Sequence, residues 1–190
     1  METIVIDRTN REAAAALLEQ LFRARHSIFA VARRWVPVSP DGLERDQFDT
    51  DEATYIVFLE AGRIIAGSRL IETQHPHLAS EIFPDLFTRL PLPRDPLVVE
   101  WTRGFIVPER RSVALMAYCC TEIMQHCLDR GYRQLGGLQE LRWLKLWARL
   151  GWRTERYGEP VAFDGEPWLP AYCDVTEASL TMSRRKLLAL

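Results

Sequence analysis

Between residues 44 and 51 the chain carries Glu44, Asp46, Asp49 and Asp51, at the entrance to the apolar run TYIVFLE. Carboxylates crowded this closely repel one another unless cations answer them. Three arginines stand where apolar residues belong. Arg25 lies on the stripe of Leu18, Phe22 and Phe29; Arg69 shares a strand face with Ile65, Gly67 and Ile71; Arg103, together with Glu100, interrupts VVEWTRGFIV. A single arginine on a stripe edge ordinarily snorkels to water. Three of them, each expensive to bury alone, are arranged most cheaply against Asp46, Asp49 and Glu100. A structural ion network is one reading, but burying ions where apolar side chains would pack adds little stability. A polar pocket lined by Phe29 and Trp35 explains the expense better. Its ligand would carry an amine, a carboxylate and an aromatic base, matched to the acids, the arginines and Trp35.

The elements that must position these residues follow from periodicity and punctuation. A strand TIVI leads to Asn10, read as an N-cap, and to the helix REAAAALLEQLFRARHSIFAV, on which Arg23, Glu19 and Ser27 form the polar side. Residues 31–54, rich in Pro and Asp-Gly, read as a long loop of lid type. TYIVFLEAGRIIAGSRLIET reads as a hairpin about Ala61 and Gly62, and a short helix is expected near 78–83. The strand PLVVEWTRGFIV, a helix ending before Gly131, a weak strand YRQLGGL, an amphipathic helix stopped by Gly151, a final strand pair and a basic C-terminal helix complete the chain. The pattern predicts a single α/β domain over residues 1–190, a three-layer α/β/α sandwich with a mixed central sheet. Its order of elements is that of the N-acetyltransferase-like fold, in which a thioester lies in a V-shaped cleft between two splayed strands. Fold alone does not settle function.

Composition narrows the classes. A chain of 190 residues, 47% apolar, buries a sizeable core. Its net charge of -2 and pI near 6.1 give no bulk attraction to nucleic acid or anionic lipid. No apolar run approaches the roughly 18 residues of a membrane span and METIVIDRTNRE is no signal peptide, so the expected location is cytoplasmic. Cys119, Cys120, Cys127 and Cys173 lack paired-ligand spacing and read as buried, reduced thiols. His75 and His77 flank Pro76 in what reads as a polar loop, without companions for a metal. Arg110 and Arg111, ahead of a helix, are placed either to meet a phosphate of phosphopantetheine or coenzyme A or to be solvated.

FRARHSIF, Trp35, GLERDQFD, GSRL and EWTR, in this order and spacing, resemble the acyl-homoserine-lactone synthases, the quorum-sensing autoinducer synthases of bacteria. The resemblance covers about the first 110 residues and continues more loosely to LGW. It implies acyl transfer from a thioester to the amine of S-adenosylmethionine, then lactone closure with release of methylthioadenosine. Both are substrates, and no cofactor or metal is implied. Carried over, the family's invariant set falls on Arg25, Phe29, Trp35, Asp46, Asp49, Arg69, Glu100 and Arg103, with Glu44 at a favoured acidic position and Phe83 at the aromatic one. Glu100, through a water, or Asp46 would deprotonate the substrate ammonium. Arg25, Arg69 or Arg103 would hold its carboxylate, while Phe29, Trp35 and Phe105 bracket the rest.

The chain also departs from that pattern. Gly104 follows Arg103 where the family has Phe, Phe105 comes one residue later, and Trp101 replaces a smaller residue. In a regular strand Gly104 would share a face with Thr102, opposite Trp101, leaving a short, wide acyl pocket. Gly137 stands where members that take 3-oxo chains have Thr or Ser. With Trp143 and Trp147 nearby in sequence, these features point to a non-oxo branched or aromatic acyl-CoA; straight-chain delivery by acyl carrier protein is the alternative donor. A generic N-acyltransferase and a non-catalytic small-ligand sensor remain as competing functions. Methyl transfer is disfavoured, since no glycine-rich loop follows the first strand.

Overall fold

The computed structural model describes residues 1–189. In chain order the elements are β1 (Glu2–Ile6), α1 (Ala15–Arg25), β2 (Thr54–Glu60), β3 (Arg63–Glu72), α2 (Leu78–Ile82), β4 (Val98–Ile106), α3 (Val113–Asp129), β5 (Gln134–Glu140), α4 (Leu141–Arg149), β6 (Thr154–Arg156), β7 (Val161–Phe163), β8 (Glu166–Asp174) and α5 (Glu177–Leu187). The class is mixed α/β, as the alternation of periods predicts. Contacts divide the chain into two compact units, one of Met1–Leu70 with Arg103–Ser112 and one of Ile71–Thr102 with 113–189. Each is built from two chain segments.

In the first unit β1, β2 and β3 pair antiparallel in that order, with Ile6 opposite Tyr55 and Tyr55 opposite Arg69. The hairpin turns at Ala61 (φ 49°) and Gly62 (φ 74°), the two left-handed residues that match the twist of the strands. A bulge between Phe58 and Leu59 shifts the register of β2 on β3. Asn10 is not the helix cap expected of it. Its side-chain oxygen accepts from the Asp7 N–H (2.9 Å) and its amide donates to the Val5 carbonyl (2.9 Å), so it closes a turn and α1 starts only at Ala15. Beyond Arg25 the helix widens into a π-helical stretch, His26–Ala32. Such stretches rotate the side chains that follow and cluster at functional sites. Periodicity in the sequence carried no sign of it.

In the second unit β4 and β5 pair in parallel over three positions, Val98 with Gln134 through Glu100 with Gly136. The ladder stops there although both strands run on. β8 pairs antiparallel with β5 along its whole length, and β6 and β7 pair with β8. Three-residue β6, Thr154–Arg156, escaped the sequence reading because it is too short and too polar to show an alternating pattern. All four cysteines are free and buried. Burial pushes the Cys119 thiol up to about 12, which holds it protonated and unreactive. No described helix is long and apolar enough to cross a membrane.

Candidate active site

The acidic loop folds onto the arginines within the first unit. Arg25 donates from Nε to Glu44 Oε2 (2.5 Å) and, through both terminal nitrogens, to the two oxygens of Asp49 (2.7 and 2.8 Å). Arg69 Nη1 donates to Asp46 Oδ1 (2.5 Å) and Asp49 Oδ1 (2.9 Å). Arg103 Nη2 reaches Glu44 (2.9 Å) and Asp46 (2.8 Å). Tyr55 donates its hydroxyl to Asp49 (2.8 Å), and Arg11 holds the end of the loop through the Asp49 carbonyl (2.9 Å). Burial works against charge at Arg25 and Arg69, but the carboxylates outweigh it and raise both guanidinium pKa values. Burial would likewise raise Asp49, yet the hydrogen bonds and charge of Arg25, with the charge of Arg69, hold it well below the usual carboxylate range.

Exposure decides which of these groups a ligand can touch. The side chains of Arg25, Arg69, Glu44 and Asp49 keep 4% exposure or less, whereas Asp46 keeps 18% and Arg103 12%. Asp46 and Arg103 form the accessible edge; the other four hold them in place. Beside Asp46 the loop residues 36–39 and 43–46 wall a recess of about 380 Å³.

Arg103 reaches the cluster because β4 is not regular. Its φ of 53° is left-handed, which strands rarely tolerate in a residue with a side chain. The break overturns the expected alternation: Thr102 is buried, Gly104 exposed, and Phe105 and Ile106 are both buried. Gly104 therefore does not open a pocket on the face of Thr102. Phe105 instead packs edge-on to Phe29 (6.2 Å) and over Gly67, where a Cβ would lie 2.7 Å from Leu21 and 2.9 Å from the Phe105 ring. The displaced aromatic residue is accommodated by the irregular strand. Phe29, placed by the π-helical stretch, stacks on Trp35 (5.8 Å, 19°), and the Arg103 guanidinium lies 5.6 Å from the Phe29 ring. Trp35 remains half-buried and also receives Arg33 at 4.3 Å.

Glu100 does not take up the arginine partners expected for it. In the second unit it is fully buried, and its carboxylate accepts from the backbone N–H groups of Ala79 (2.7 Å) and Leu78 (3.1 Å), at the start of α2. His77 Nδ1 lies 3.1 Å from the same carboxylate. His77 is thus no loop residue in a polar setting but is fully buried. Sequence reasoning missed it because its companion lies 23 residues away on β4; the signal was a histidine three residues before Ser80, whose hydroxyl accepts from the His77 N–H (3.0 Å).

The acyl-side residues separate. Trp101 stacks on buried Trp147 (5.9 Å, 11°), which in turn meets Trp152 (5.7 Å). Trp143 and Phe83 are half-buried, Trp143 beneath the Arg142 guanidinium (6.0 Å). Gly137 has a φ of 134°, and a Cβ there would lie 3.0 Å from Glu100 Cγ. A serine or threonine at this position would be strained as well as crowded. In the first unit Arg110 pairs with Glu60, and Arg111 contacts the Ile106 carbonyl (3.4 Å). Both are exposed.

Residues 8–182 match the model of a family described as autoinducer synthase. An isovaleryl-homoserine lactone synthase of Bradyrhizobium diazoefficiens is 35% identical over 176 residues, covering 92% of this chain and 80% of its own. Among solved structures, the CoA-dependent acyl-homoserine lactone synthase BjaI with SAM and isopentyl-CoA superposes with a TM-score of 0.91 at 33% identity, over 96% of this chain and 87% of that one. A second CoA-dependent acyl-homoserine lactone synthase, MesI, gives 0.90 at 32%, over 98% and 95%. An N-acetyltransferase structure from Lactobacillus plantarum, at 19% identity with a TM-score of 0.57, shares the fold alone.

Proposed function

Since the chain belongs to the autoinducer synthase family and is an acyltransferase, we propose that it makes a branched-chain acyl-homoserine lactone for signalling between cells. The acyl group comes from a coenzyme A thioester and the amine from S-adenosylmethionine. Amide formation is followed by attack of the substrate carboxylate on its own side chain, which closes the lactone and expels methylthioadenosine. Both compounds are consumed as substrates, and the reaction needs no cofactor. The cytoplasm, where both are made, is the compartment assigned.

The observation that carries this reading is the likeness, over more than nine-tenths of the chain, to an isovaleryl-homoserine lactone synthase and to a structure with SAM and isopentyl-CoA. The residues supply fitting groups. Arg103 offers a guanidinium for the substrate carboxylate and Asp46 an acceptor for its ammonium. Phe29 and Trp35 offer aromatic faces to the sulfonium and adenine. Glu100 is the base assigned to the ammonium proton, and the stacked Trp101 and Trp147 belong to the acyl side.

Purified protein incubated with S-adenosylmethionine and a panel of thioesters tests the reading by mass spectrometry. Isovaleryl-CoA should yield its homoserine lactone and methylthioadenosine, with kcat/KM at least tenfold above 3-oxo thioesters. Absence of methylthioadenosine with every donor would overturn the function. Product formed only from acyl carrier protein would overturn the donor.

A further inference from the structure

We propose that Arg11 is a positioning residue for S-adenosylmethionine: it anchors the turn that carries Asp46, and so sets the carboxylate that receives the substrate ammonium. The inference rests on the proposed function and adds to it a residue outside the ion cluster.

Arg11 stands half-buried in the corner between β1 and α1. Its Nη1 donates to the Thr50 carbonyl (2.5 Å) and its Nη2 to the Asp49 carbonyl (2.9 Å) and the Tyr55 hydroxyl (3.3 Å), with the guanidinium 5.4 Å from the Tyr55 ring. All three acceptors are neutral, so the side chain grips the backbone of the acidic turn without competing for its carboxylates. A guanidinium only donates. The phenol of Tyr55 therefore accepts from Arg11 and spends its single hydrogen on Asp49 Oδ1 (2.8 Å). Arg11 thus reaches Asp49 twice, at its carbonyl and, through Tyr55, at its carboxylate.

From Asp49 the connection to Asp46 is short. The Asp49 N–H donates to the Asp46 carbonyl (3.1 Å) and the Asp46 N–H to Asp49 Oδ2 (2.8 Å), so the two residues close one turn. Arg25 and Arg69 hold that turn by the Asp49 side chain; Arg11 holds it by the main chain of Asp49 and Thr50. Asp46 is the most open acid of the cluster, and its carboxylate must serve Arg69, Arg103 and an incoming ammonium in one geometry. Such placement is sensitive, since a displacement of about 1 Å can cost on the order of a hundredfold.

The side chain of Arg11 does not serve its own corner. That corner is closed without it, by the Asp7 N–H on the Asn10 side chain (2.9 Å), the Thr9 N–H on the Asp7 carboxylate (2.8 Å) and the Ala14 N–H on the Asn10 carbonyl (3.0 Å). The guanidinium instead reaches 38 to 44 residues along the chain. Glu12 and Asp51 share with Arg11 the lining of a recess of about 520 Å³, yet its bonds go to the two carbonyls and the phenol.

Two variants test the proposal, one of them also combined with Asp46→Asn. Arg11→Met keeps the apolar stem and removes every donor, whereas Arg11→Lys returns an ammonium without the planar fork. In the free protein, Arg11→Met should speed hydrogen exchange at the amides of Asp46, Asp49 and Ala53 about tenfold or more, with β2 and β3 unchanged. In turnover it should raise KM for S-adenosylmethionine about tenfold and leave KM for isovaleryl-CoA within about twofold of wild type. Arg11→Lys should lie between the two. Added to Asp46→Asn, Arg11→Met should lower kcat/KM for S-adenosylmethionine by no more than about a further twofold, because Arg11 acts through Asp46. A lower melting temperature with both KM values in place would make Arg11 a structural residue and overturn the inference, as would losses that multiply in the double variant. Faster exchange in the turn with an unchanged KM for S-adenosylmethionine would overturn it too. Should Arg11→Met fail to fold, an Arg11→Lys protein with wild-type exchange and wild-type KM would decide against it equally. A wild-type protein that releases no methylthioadenosine with any donor would instead remove the function beneath the inference, and the exchange measurement on the free protein keeps that failure distinct from loss of the anchor.

Discussion

Replacing Asp49 by asparagine removes one charge from the ion cluster and almost no volume. The wild-type carboxylate accepts five hydrogen bonds: two from Arg25 (2.7 and 2.8 Å), and one each from Arg69 (2.9 Å), the Tyr55 hydroxyl (2.8 Å) and the Asp46 N–H (2.8 Å). An amide accepts on one side only, so its NH2 must face either Arg25 Nη2 and the Asp46 N–H, or Arg25 Nη1, Arg69 Nη1 and the Tyr55 hydroxyl. Charge also falls out of balance, since Arg25, Arg69 and Arg103 are then opposed by Glu44 and Asp46 alone, with Arg25 and Arg69 essentially inaccessible to water. Breaking a buried pair from one side costs about 3 to 5 kcal/mol. For a chain of this size that lowers the melting temperature by about 6 to 20 °C, at about 2 to 4 °C per kcal/mol. Urea unfolding at pH 7 measures it. The pH dependence supplies an independent check. The folded Asp49 pKa is depressed, so its contribution is complete above the unfolded value of about 3.9 and fades as pH falls through the folded one. The gap between wild type and Asp49→Asn should therefore be widest near neutrality and narrow below about pH 4. A gap under about 1 kcal/mol at pH 7, in the range of an exposed pair, would refute the reasoning.

Gly67→Ala should destabilise by about 1 to 3 kcal/mol, because the new methyl meets Leu21 and Phe105 at 2.7 and 2.9 Å; an unchanged melting temperature would show that the Phe29–Phe105 contact yields without strain. Gly137→Ser should lower acylation turnover without creating a preference for 3-oxo thioesters, since a φ of 134° and the contact with Glu100 Cγ strain the strand and displace the Glu100 side chain, the base of the proposed function, before any hydroxyl can be used; a gain in 3-oxo turnover would contradict this. In a thiol titration the native protein should show negligible reaction at its four cysteines and full reaction on unfolding, as burial and the raised Cys119 pKa require; rapid reaction of any one would place that thiol at the surface.

Arginines at apolar positions and acids before a strand were enough to locate the cluster, because burying an unpaired ion is so unfavourable that partners are almost dictated. Glu44 entered the sequence reading as one of the crowded acids and as a favoured acidic position, but was not among the partners assigned to the arginines, yet it bridges Arg25 and Arg103. Its importance depends on the loop geometry, which periodicity does not encode. The left-handed Arg103 was equally hidden: the neighbouring Gly104 drew attention as a missing side chain in the acyl pocket, while the positive φ sits on the arginine. The π-helical stretch and the His77–Glu100 contact share that character. Each arises where tertiary packing overrides a local pattern, and each lies beside a residue assigned a chemical role.

The balance of the cluster bears on what it is built to receive. Three guanidinium groups and three carboxylates cancel, and four of the six are sealed from solvent. A ligand with a lone carboxylate would have to compete with Asp46 for Arg103 and leave a buried excess of negative charge. An amino acid headgroup would not. Its carboxylate can take the Arg103 guanidinium and its ammonium the Asp46 oxygens, opening the 2.8 Å pair between them while every charge keeps an opposite. Under the proposed function the remaining positive charge of S-adenosylmethionine, on sulfur, would need a site without a fixed anion, and the stacked faces of Phe29 and Trp35 would offer one. On this account the buried four act as a rigid mount whose neutrality makes the exchange possible. A carboxylate ligand that lacks the amine should bind far more weakly than one that carries both.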